Sequence, residues 1–496
     1  MKEWSTSPNT FDSKPDGSKG VQQKSAESLP KLKSYRSVNP YNGRVDKTFE
    51  EQNEQELETA IETASQCFQD WRTRTFRERA AIVGRAAEIM RARVDEFAKL
   101  VTLEMGKRFV EAQGEVKLSA DILAYYAENA EEFLAPIALT TSSGTAELES
   151  APLGVLFGVQ PWNFPYYQLV RFAGPNLMAG NVVMVKHAGS VPQCAIAFEK
   201  LWQEAGAPPG AYTNLLISHD QVNRVIDDRR IKGVAFTGSV EAGRAIATRA
   251  GKNLKKSTME LGGSDAFIVL EDAELNKTVE WAVWGRMNNM GQSCVAAKRF
   301  IVVESVADQF LHDFSAALSV LVPGDPMLES TTLGPLSTES ALAILLEQVS
   351  RAIASGASLV MGGGRIDRPG SFMQPTILTN IKPQNPAYGE EFFGPVALFF
   401  RVKDEEEAIK LANDSDFGLG GSVFTADLVR GKRVARRIET GMVFVNHPTW
   451  TSPELPFGGI NNSGYGRELS SLGIQEFVNK KLIHVESLEQ NSNKKN

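Results

Sequence analysis

Beyond residue 153 the hydrophobic pattern of this chain keeps switching between two periods, and no other feature restricts its fold as tightly. Apolar runs of strand length at 153–159, 182–185, 233–236 and 266–270 are separated by helical stretches around 167–179, 191–205 and 239–250. Strands that alternate with helices build a parallel sheet with helices on both faces. The pattern resumes after Cys294, with strands near 300–303, 396–400 and 441–445 and helices over 306–321 and 404–412. A chain of 496 residues has room for two or three domains. The spacing thus predicts an α/β protein with two open sheets, one before about residue 260 and one after it. Upstream, 56–136 reads as long helices, with apolar residues at helical spacing through 80–97 and on through 100–105. Two shorter β-rich stretches, 136–151 and 478–486, fall outside both sheets.

Composition narrows function by exclusion. Residues 1–35 are rich in Ser, Lys, Pro and Gly and poor in aliphatics, which predicts a disordered tail, and 490–496 reads the same way. The tail lacks the apolar stretch of a secretory signal, and no apolar span is long enough to cross a membrane. Only Cys67, Cys194 and Cys294 occur, too few and too scattered for a disulfide framework or a C-x-x-C zinc site. A reducing, cytoplasmic setting without a metal is expected. The formal net charge of -7, with no basic block, argues against nucleic acid as a partner, because an acidic surface repels phosphates.

Cys294 closes the run Gly291-Gln292-Ser293-Cys294. A buried cysteine is ordinarily a small hydrophobe, and Cys67, in a helical apolar pattern, and Cys194, after Pro192, both read that way. At Cys294 a glycine and polar residues let the backbone turn sharply and present sulfur in a cleft, where a thiolate adds to a carbonyl carbon. Such a nucleophile needs a base, and none of the five histidines stands in a Cys/His signature. Glu260 ends an expected strand and precedes Gly262 and Gly263, which let the chain turn into a cavity. A carboxylate of adjustable pKa at that point activates water against a thioester. Asn163, in Pro161-Trp162-Asn163-Phe164-Pro165, carries an amide that can donate to an oxyanion, and the backbone N–H of Cys294 is the other natural donor. Phe236-Thr237-Gly238-Ser239 leads from a strand into a helix, whose start can hold a phosphate, although the G-x-G-x-x-G fingerprint is absent. Gly362-Gly363-Gly364 reads as a turn. These residues alone leave open a Cys-dependent hydrolase or acyltransferase without nicotinamide, and a non-catalytic binding protein.

Taken together, Trp162-Asn163-Phe164-Pro165, Lys186, Phe236-Thr237-Gly238-Ser239, Glu260-Leu261-Gly262-Gly263, Gly291-Gln292-Ser293-Cys294, Glu391-Phe392-Phe393-Gly394-Pro395 and Pro456-Phe457-Gly458-Gly459 resemble, in order and spacing, the aldehyde dehydrogenase superfamily over about 36–486. The resemblance implies a Rossmann-like dinucleotide-binding domain from 36–135 and 152–260 and a catalytic domain over 261–475. It also implies a small β oligomerisation arm from 136–151 and 476–490, in a homodimer or homotetramer. Cys294 becomes the nucleophile, Glu260 the general base and Asn163 the oxyanion donor. Lys186 contacts the adenosine ribose, Gly238 and Ser239 the pyrophosphate, and Glu391 the nicotinamide ribose, with Phe393 and Trp162 beside the cofactor. Glu468 resembles an acid standing behind the site in some members, or else belongs to a buried ion pair. The implied reaction adds the thiolate to an aldehyde, passes hydride to nicotinamide and hydrolyses the thioester with water activated by Glu260. A hydrolase without nicotinamide would leave Lys186, Ser239 and Glu391 unexplained.

Within the superfamily, Lys186-His187-Ala188, the stretch 461–470 and Glu476-Phe477-Val478-Asn479 resemble bacterial succinate-semialdehyde dehydrogenases. That resemblance implies a small-molecule semialdehyde substrate whose carboxylate meets Arg171, with Thr451 and Ser452 on a loop that supplies a hydroxyl. A second arginine, found in some members six residues before the cysteine, is Asn288 here, with Arg286 two residues earlier. Trp450, Tyr166 and Tyr167 leave a bulkier or aromatic-bearing semialdehyde as the alternative. NAD-specific members carry an acidic residue three positions after the lysine, where it repels a 2′-phosphate. Here that position is Gly189, followed by Ser190. NADP, alone or alongside NAD, is the expected cofactor.

Overall fold

Helices form where the periodicity places them. The computed structural model describes residues 34–488, so all but the last two residues of the tail expected over 1–35, and the end 490–496, lie outside the described residues. Four helices, Glu54–Trp71, Phe76–Ala92, Val94–Met105 and Phe109–Phe133, precede the first open sheet. The first two start where side chains satisfy the free N–H groups of the opening turn: Asn53 with Glu56, and Thr75 with Glu78, cap reciprocally. The run through 80–97 is not one helix. It breaks at Arg93, which leaves the helical region (φ -121°, ψ 32°) and ion-pairs with Glu96 and Glu204. The apolar pattern crosses the break because both segments pack on the same core. A hairpin of Ser34–Val38 and Val45–Glu50 comes earlier still. Ser34 and Tyr35 therefore belong to a strand rather than to the tail, and the Tyr35 ring is buried.

The first open sheet has six strands, in the order Gly464–Tyr465, Lys256–Glu260, Ile231–Thr237, Val155–Gln160, Val182–His187 and Tyr212–Asn214. Five are parallel and only the short strand Gly464–Tyr465 is antiparallel. The chain enters at Val155–Gln160, builds outward to Tyr212–Asn214 and then returns to the other side at Ile231–Thr237. The order reverses between those two neighbours, and the carboxyl ends of strands at such a reversal open the crevice in which α/β sheets bind ligands. Trp162 and Asn163 follow one of these strands, Gly238 and Ser239 the other.

The second sheet runs Ser358–Met361, Thr376–Thr379, Val396–Val402, Ala297–Val303, Asp265–Val269, Gly421–Phe424 and Phe444–Val445, parallel except at its first edge. Its core is separate, centred on Phe267, Phe300, Phe310, Phe314 and Phe399. Gly464–Tyr465 crosses back to pair with Met259 and Glu260, and Phe457, Leu469 and Phe477 join the core of the first sheet. The β-rich stretches outside both sheets form a third, antiparallel sheet of Ile137–Leu139, Thr145–Pro152 and Val478–Val485. Ile137, Leu139, Leu482 and Val485 on it are exposed. Asn181 fastens this sheet's neighbour segments to the first sheet. Its side chain accepts from the N–H groups of Leu153 and Gly154 at 2.7 and 3.0 Å and donates to the Phe477 carbonyl at 2.9 Å. Leaving such buried groups unpaired costs about 1–3 kcal/mol each. No helix among the described residues is long and apolar enough to cross a membrane.

Candidate active site

Cys294 lies in the wall shared by two cavities. One, of about 340 Å³, is lined by Phe164, Tyr167, Gln168, Trp284, Trp450, Thr451 and Phe457 among others. The second, of about 270 Å³, opens at the strand-order reversal and is lined by Trp162, Asn163, Thr237, Gly238, Ser239, Glu260, Glu391 and Phe393. The turn that presents the cysteine follows the helix Leu275–Met287 and holds Asn289, Met290 and Gly291 at φ of 52°, 56° and 72°. Left-handed backbone at non-glycine residues costs about 1–3 kcal/mol each and persists only where the surroundings enforce it. At Gly291 nothing larger fits, since a Cβ would stand 2.4 Å from Arg286 Nη2 and 2.5 Å from the Gly394 carbonyl oxygen.

The enforcement is visible in the carbonyls. Arg286, fully buried and lowered by that burial to about 9, donates to Gly291 O at 2.7 Å. Asn163 and Asn289 both donate to Gln292 O at 3.1 Å. Lys298, also fully buried, donates to Ser293 O at 2.9 Å and Cys294 O at 2.8 Å. Asn163 uses one of its two amide N–H bonds in this way, and its side chain stays on the cavity wall beside Glu260.

Burial pushes the Cys294 thiol up to about 12, against the pull of Arg171 and Lys298, with Glu391 and Glu260 adding to the rise. Cys194 is fully buried and Cys67 half-buried, as their helical contexts implied. Glu260 ends the strand Lys256–Glu260, and both its carboxyl oxygens are buried without a hydrogen-bond partner among the described residues. Burial, and then the neighbouring Glu468, hold its pKa well above the ordinary carboxylate range. Burial thus favours its uncharged form, and the carboxyl can act as a base only once its proton has left.

Cofactor-type features surround the second cavity. The Ser239 hydroxyl caps the helix Val240–Lys252, accepting from Ala242 N–H at 3.3 Å. Trp162 and Phe393 meet edge to face at 5.8 Å. Glu391 accepts from Gly263 N–H at 3.1 Å and ion-pairs with Lys298 at 3.1 Å. Lys186, at the end of Val182–His187, donates to the His187 carbonyl at 3.1 Å and lies 5.5 Å from the Tyr35 ring centre. Burial lowers it to about 8. Gly189 and Ser190 follow on a loop outside both cavities, with Gly189 exposed beside Tyr35. Among the described residues no cluster of His, Cys, Asp and Glu is arranged to hold a metal.

The substrate-side expectations need correction at two positions. Arg171 does not line the larger cavity. Every residue of its helix Pro165–Met178 is buried, and the side chain packs back under Tyr167 into an ion pair with Glu468. It also donates to Tyr167 Oη at 3.2 Å and to Gln168 Oε1 at 2.7 Å. The carboxylate it meets is thus the protein's own, and Glu468 is the buried ion-pair partner. Thr451 lines the cavity, its hydroxyl 2.9 Å from that of Tyr167, but Ser452 is not part of the wall. Sequence reasoning passed over Lys107, buried against Glu115, together with Gln168, Trp284 and Lys298. Two adjacent cations inside an otherwise apolar strand, Lys298 and Arg299 in Ala297–Val303, were the available signal for the last of these.

This constellation has close counterparts. A model of the aldehyde dehydrogenase family matches residues 28–483. The chain is 51% identical over 451 residues to a succinate-semialdehyde dehydrogenase (NADP+) of Deinococcus radiodurans, covering 91% of this chain and 94% of that one. It is 46% identical to a probable succinate-semialdehyde dehydrogenase (NADP+) of Synechocystis, covering 90% and 99%. Among solved structures, succinic semialdehyde dehydrogenase of Streptococcus pyogenes in complex with NADP+ superimposes with a TM-score of 0.90 at 47% identity, over 91% of this chain and 100% of that one. The chain belongs to the aldehyde dehydrogenase family.

The thiol environment sets a pH test. Because only the thiolate is alkylated, labelling of the Cys294 peptide by iodoacetamide should climb about tenfold per pH unit from pH 7 to pH 9. It should reach no plateau before pH 10, since burial holds the thiol near 12. Peptide mass spectrometry follows the rate, and a plateau at or below pH 8 contradicts this account of the site.

Proposed function

We propose that the chain oxidises a semialdehyde, succinate semialdehyde being the first candidate, to the carboxylic acid with NADP+ as acceptor and NAD+ as a second. The observation that carries this reading is the place of Cys294 between two cavities, one apolar and aromatic, the other at the strand reversal beside Glu260. An aldehyde held in the first cavity and a dinucleotide held in the second would both lie against the sulfur of Cys294. The names of the relatives support the substrate and the cofactor.

In this reading the Cys294 thiolate adds to the aldehyde carbon, and Asn163 with the Cys294 N–H holds the resulting alkoxide. Nicotinamide, when bound, takes up hydride. The residues that would hold the cofactor are Ser239 and Gly238 at the helix start, Lys186, Glu391, Phe393 and Trp162. The closeness of Glu391 to the Gly262 backbone fits such a cradle: a Cβ on Gly262 would lie 2.2 Å from Glu391 Oε2. Glu260 then takes a proton from the water that hydrolyses the Cys294 thioester. The dinucleotide is assigned to 36–135 and 152–260, and the chemistry to 261–475. The three free cysteines fit a reducing cytoplasm. A second substrate reading keeps one observation of its own: Trp284 and Trp450 meet at 5.0 Å on the wall of the larger cavity, where no arginine side chain lies, which favours a bulkier, aromatic-bearing semialdehyde.

Glu260→Gln should give a burst of about one NADPH per site at 340 nm and then stall, because acylation proceeds while hydrolysis lacks its base. Cys294→Ala should give no burst. Steady turnover of Glu260→Gln at the parent rate would sink the scheme.

For the cofactor, Gly189→Glu should lower kcat/KM for NADP+ about tenfold or more while sparing NAD+, because the new carboxylate repels the 2′-phosphate. The substitution fits locally, with the new Cβ at an ordinary 3.6 Å from the Tyr35 ring. In the parent, KM for NADP+ should rise as pH passes about 8, where Lys186 loses its charge. An unchanged preference in Gly189→Glu contradicts this account of the loop. The exposed strands of Ile137–Leu139, Thr145–Pro152 and Val478–Val485 are assigned to pairing with further copies as a dimer or tetramer, since bare strand edges invite association. Light scattering should report a multiple of 54.3 kDa, and the single-chain mass would refute the assignment.

A further inference from the structure

We propose that Lys298 is a positioning residue that aims the oxyanion-binding N–H of Cys294 and joins it to the carboxylate of Glu391. This rests on the reading of Cys294 and Glu391 given above. An ammonium group has three N–H bonds. Lys298, fully buried in the strand Ala297–Val303, donates to two backbone oxygens, Ser293 O at 2.9 Å and Cys294 O at 2.8 Å, and its ammonium group ion-pairs with Glu391 Oε1 at 3.1 Å.

The first contact matters because the Ser293 carbonyl and the Cys294 N–H are the two ends of one peptide unit. That unit is planar and trans, so fixing the direction of its oxygen fixes the direction of its hydrogen on the opposite side. The Cys294 N–H donates to no group among the described residues, which leaves it for an oxyanion. Neighbouring peptides are held by other side chains, Gly291 O by Arg286 and Gln292 O by Asn163 and Asn289. Lys298 is the side chain that holds the Ser293 peptide. A cation on the carbonyl oxygen also polarises the peptide and makes its N–H the stronger donor. The third contact extends this to the cofactor side. Glu391 Oε1 is taken by Lys298 and by Gly263 N–H, so Oε2 is the oxygen left for ribose hydroxyls.

Two reactions at the same sulfur separate this role from general support of the fold. Iodoacetamide alkylates Cys294 by displacement at a saturated carbon and forms no oxyanion. Hydrolysis of p-nitrophenyl acetate and oxidation of the aldehyde both form one. In full-length Lys298→Met the oxyanion-forming reactions should fall about 30-fold or more, on the scale of a lost oxyanion donor. Alkylation at pH 8 should fall only severalfold, since Arg171 remains as the larger influence favouring the thiolate. Lys298→Arg keeps the charge, but its planar fork cannot serve the same three partners. It should leave alkylation near the parent rate and still slow the other two reactions. An equal loss in alkylation and ester hydrolysis, or no loss in either, overturns the assignment; should Lys298→Met fail to fold, Lys298→Arg decides alone. A parent enzyme that forms no NADPH fails the functional reading by itself, while the ratio of ester hydrolysis to alkylation still tests Lys298.

Discussion

Four consecutive carbonyl groups, from Gly291 to Cys294, are each gripped by a buried side chain, and the geometry of the site depends on that grip. A backbone with three successive left-handed residues has no intrinsic reason to persist. It persists here because Arg286, Asn163, Asn289 and Lys298 meet the carbonyls from inside the protein. The grip also links parts of the chain that are far apart in sequence. Asn163 follows a strand of the first sheet, whereas Lys298 sits in a strand of the second. The nucleophile turn is therefore the seam between the sheets, which is why both cavities reach Cys294.

Burial at this seam has an electrostatic consequence. Removing Cys294 and Glu260 from water disfavours the charged form of each, and the two carboxyl groups near the thiol add to the effect. Arg171 opposes it. Being locked to Glu468 beneath Tyr167 and Gln168, that guanidinium contributes a fixed field while remaining out of a substrate's reach. A charge placed this way favours the thiolate without offering a competing ligand in the cavity. A mobile arginine on the wall would do both, and its effect on the thiol would change whenever an anionic substrate arrived.

What was legible in the sequence follows from how far each signal reaches along the chain. The central strands of both sheets emerged within a few residues of their observed bounds, because strands buried on both faces are continuous apolar runs. Cys294, Glu260, Asn163 and Ser239, which the fold brings to one cavity, could be singled out as candidates because each lies in a short glycine- or proline-punctuated segment at a strand or helix end. The hairpin Ser34–Val38/Val45–Glu50 was missed because its second strand is mostly exposed and polar. Arg171 was misjudged for a different reason: its partner Glu468 is adjacent only in the folded chain, and helix position alone cannot say whether a cation faces a cavity or a carboxylate. Lys298 escaped notice because its three partners, two backbone oxygens and the distant Glu391, carry no mark in the sequence.

The strand-order reversal explains why these local devices converge. In a parallel sheet every strand delivers its carboxyl end to the same edge, and only at the reversal do two neighbouring ends diverge enough to leave a cleft. Val155–Gln160 and Ile231–Thr237 are those neighbours, and Lys256–Glu260, one strand further out, brings Glu260 to the same edge. The second sheet closes the cleft from the opposite side with Cys294 and Glu391. Neither sheet alone carries all three of Cys294, Glu260 and Asn163, the proposed nucleophile, base and oxyanion donor. Assembly of the two sheets is thus the step that creates the site, and on the second-sheet side Lys298 touches the Cys294 turn and Glu391 at once.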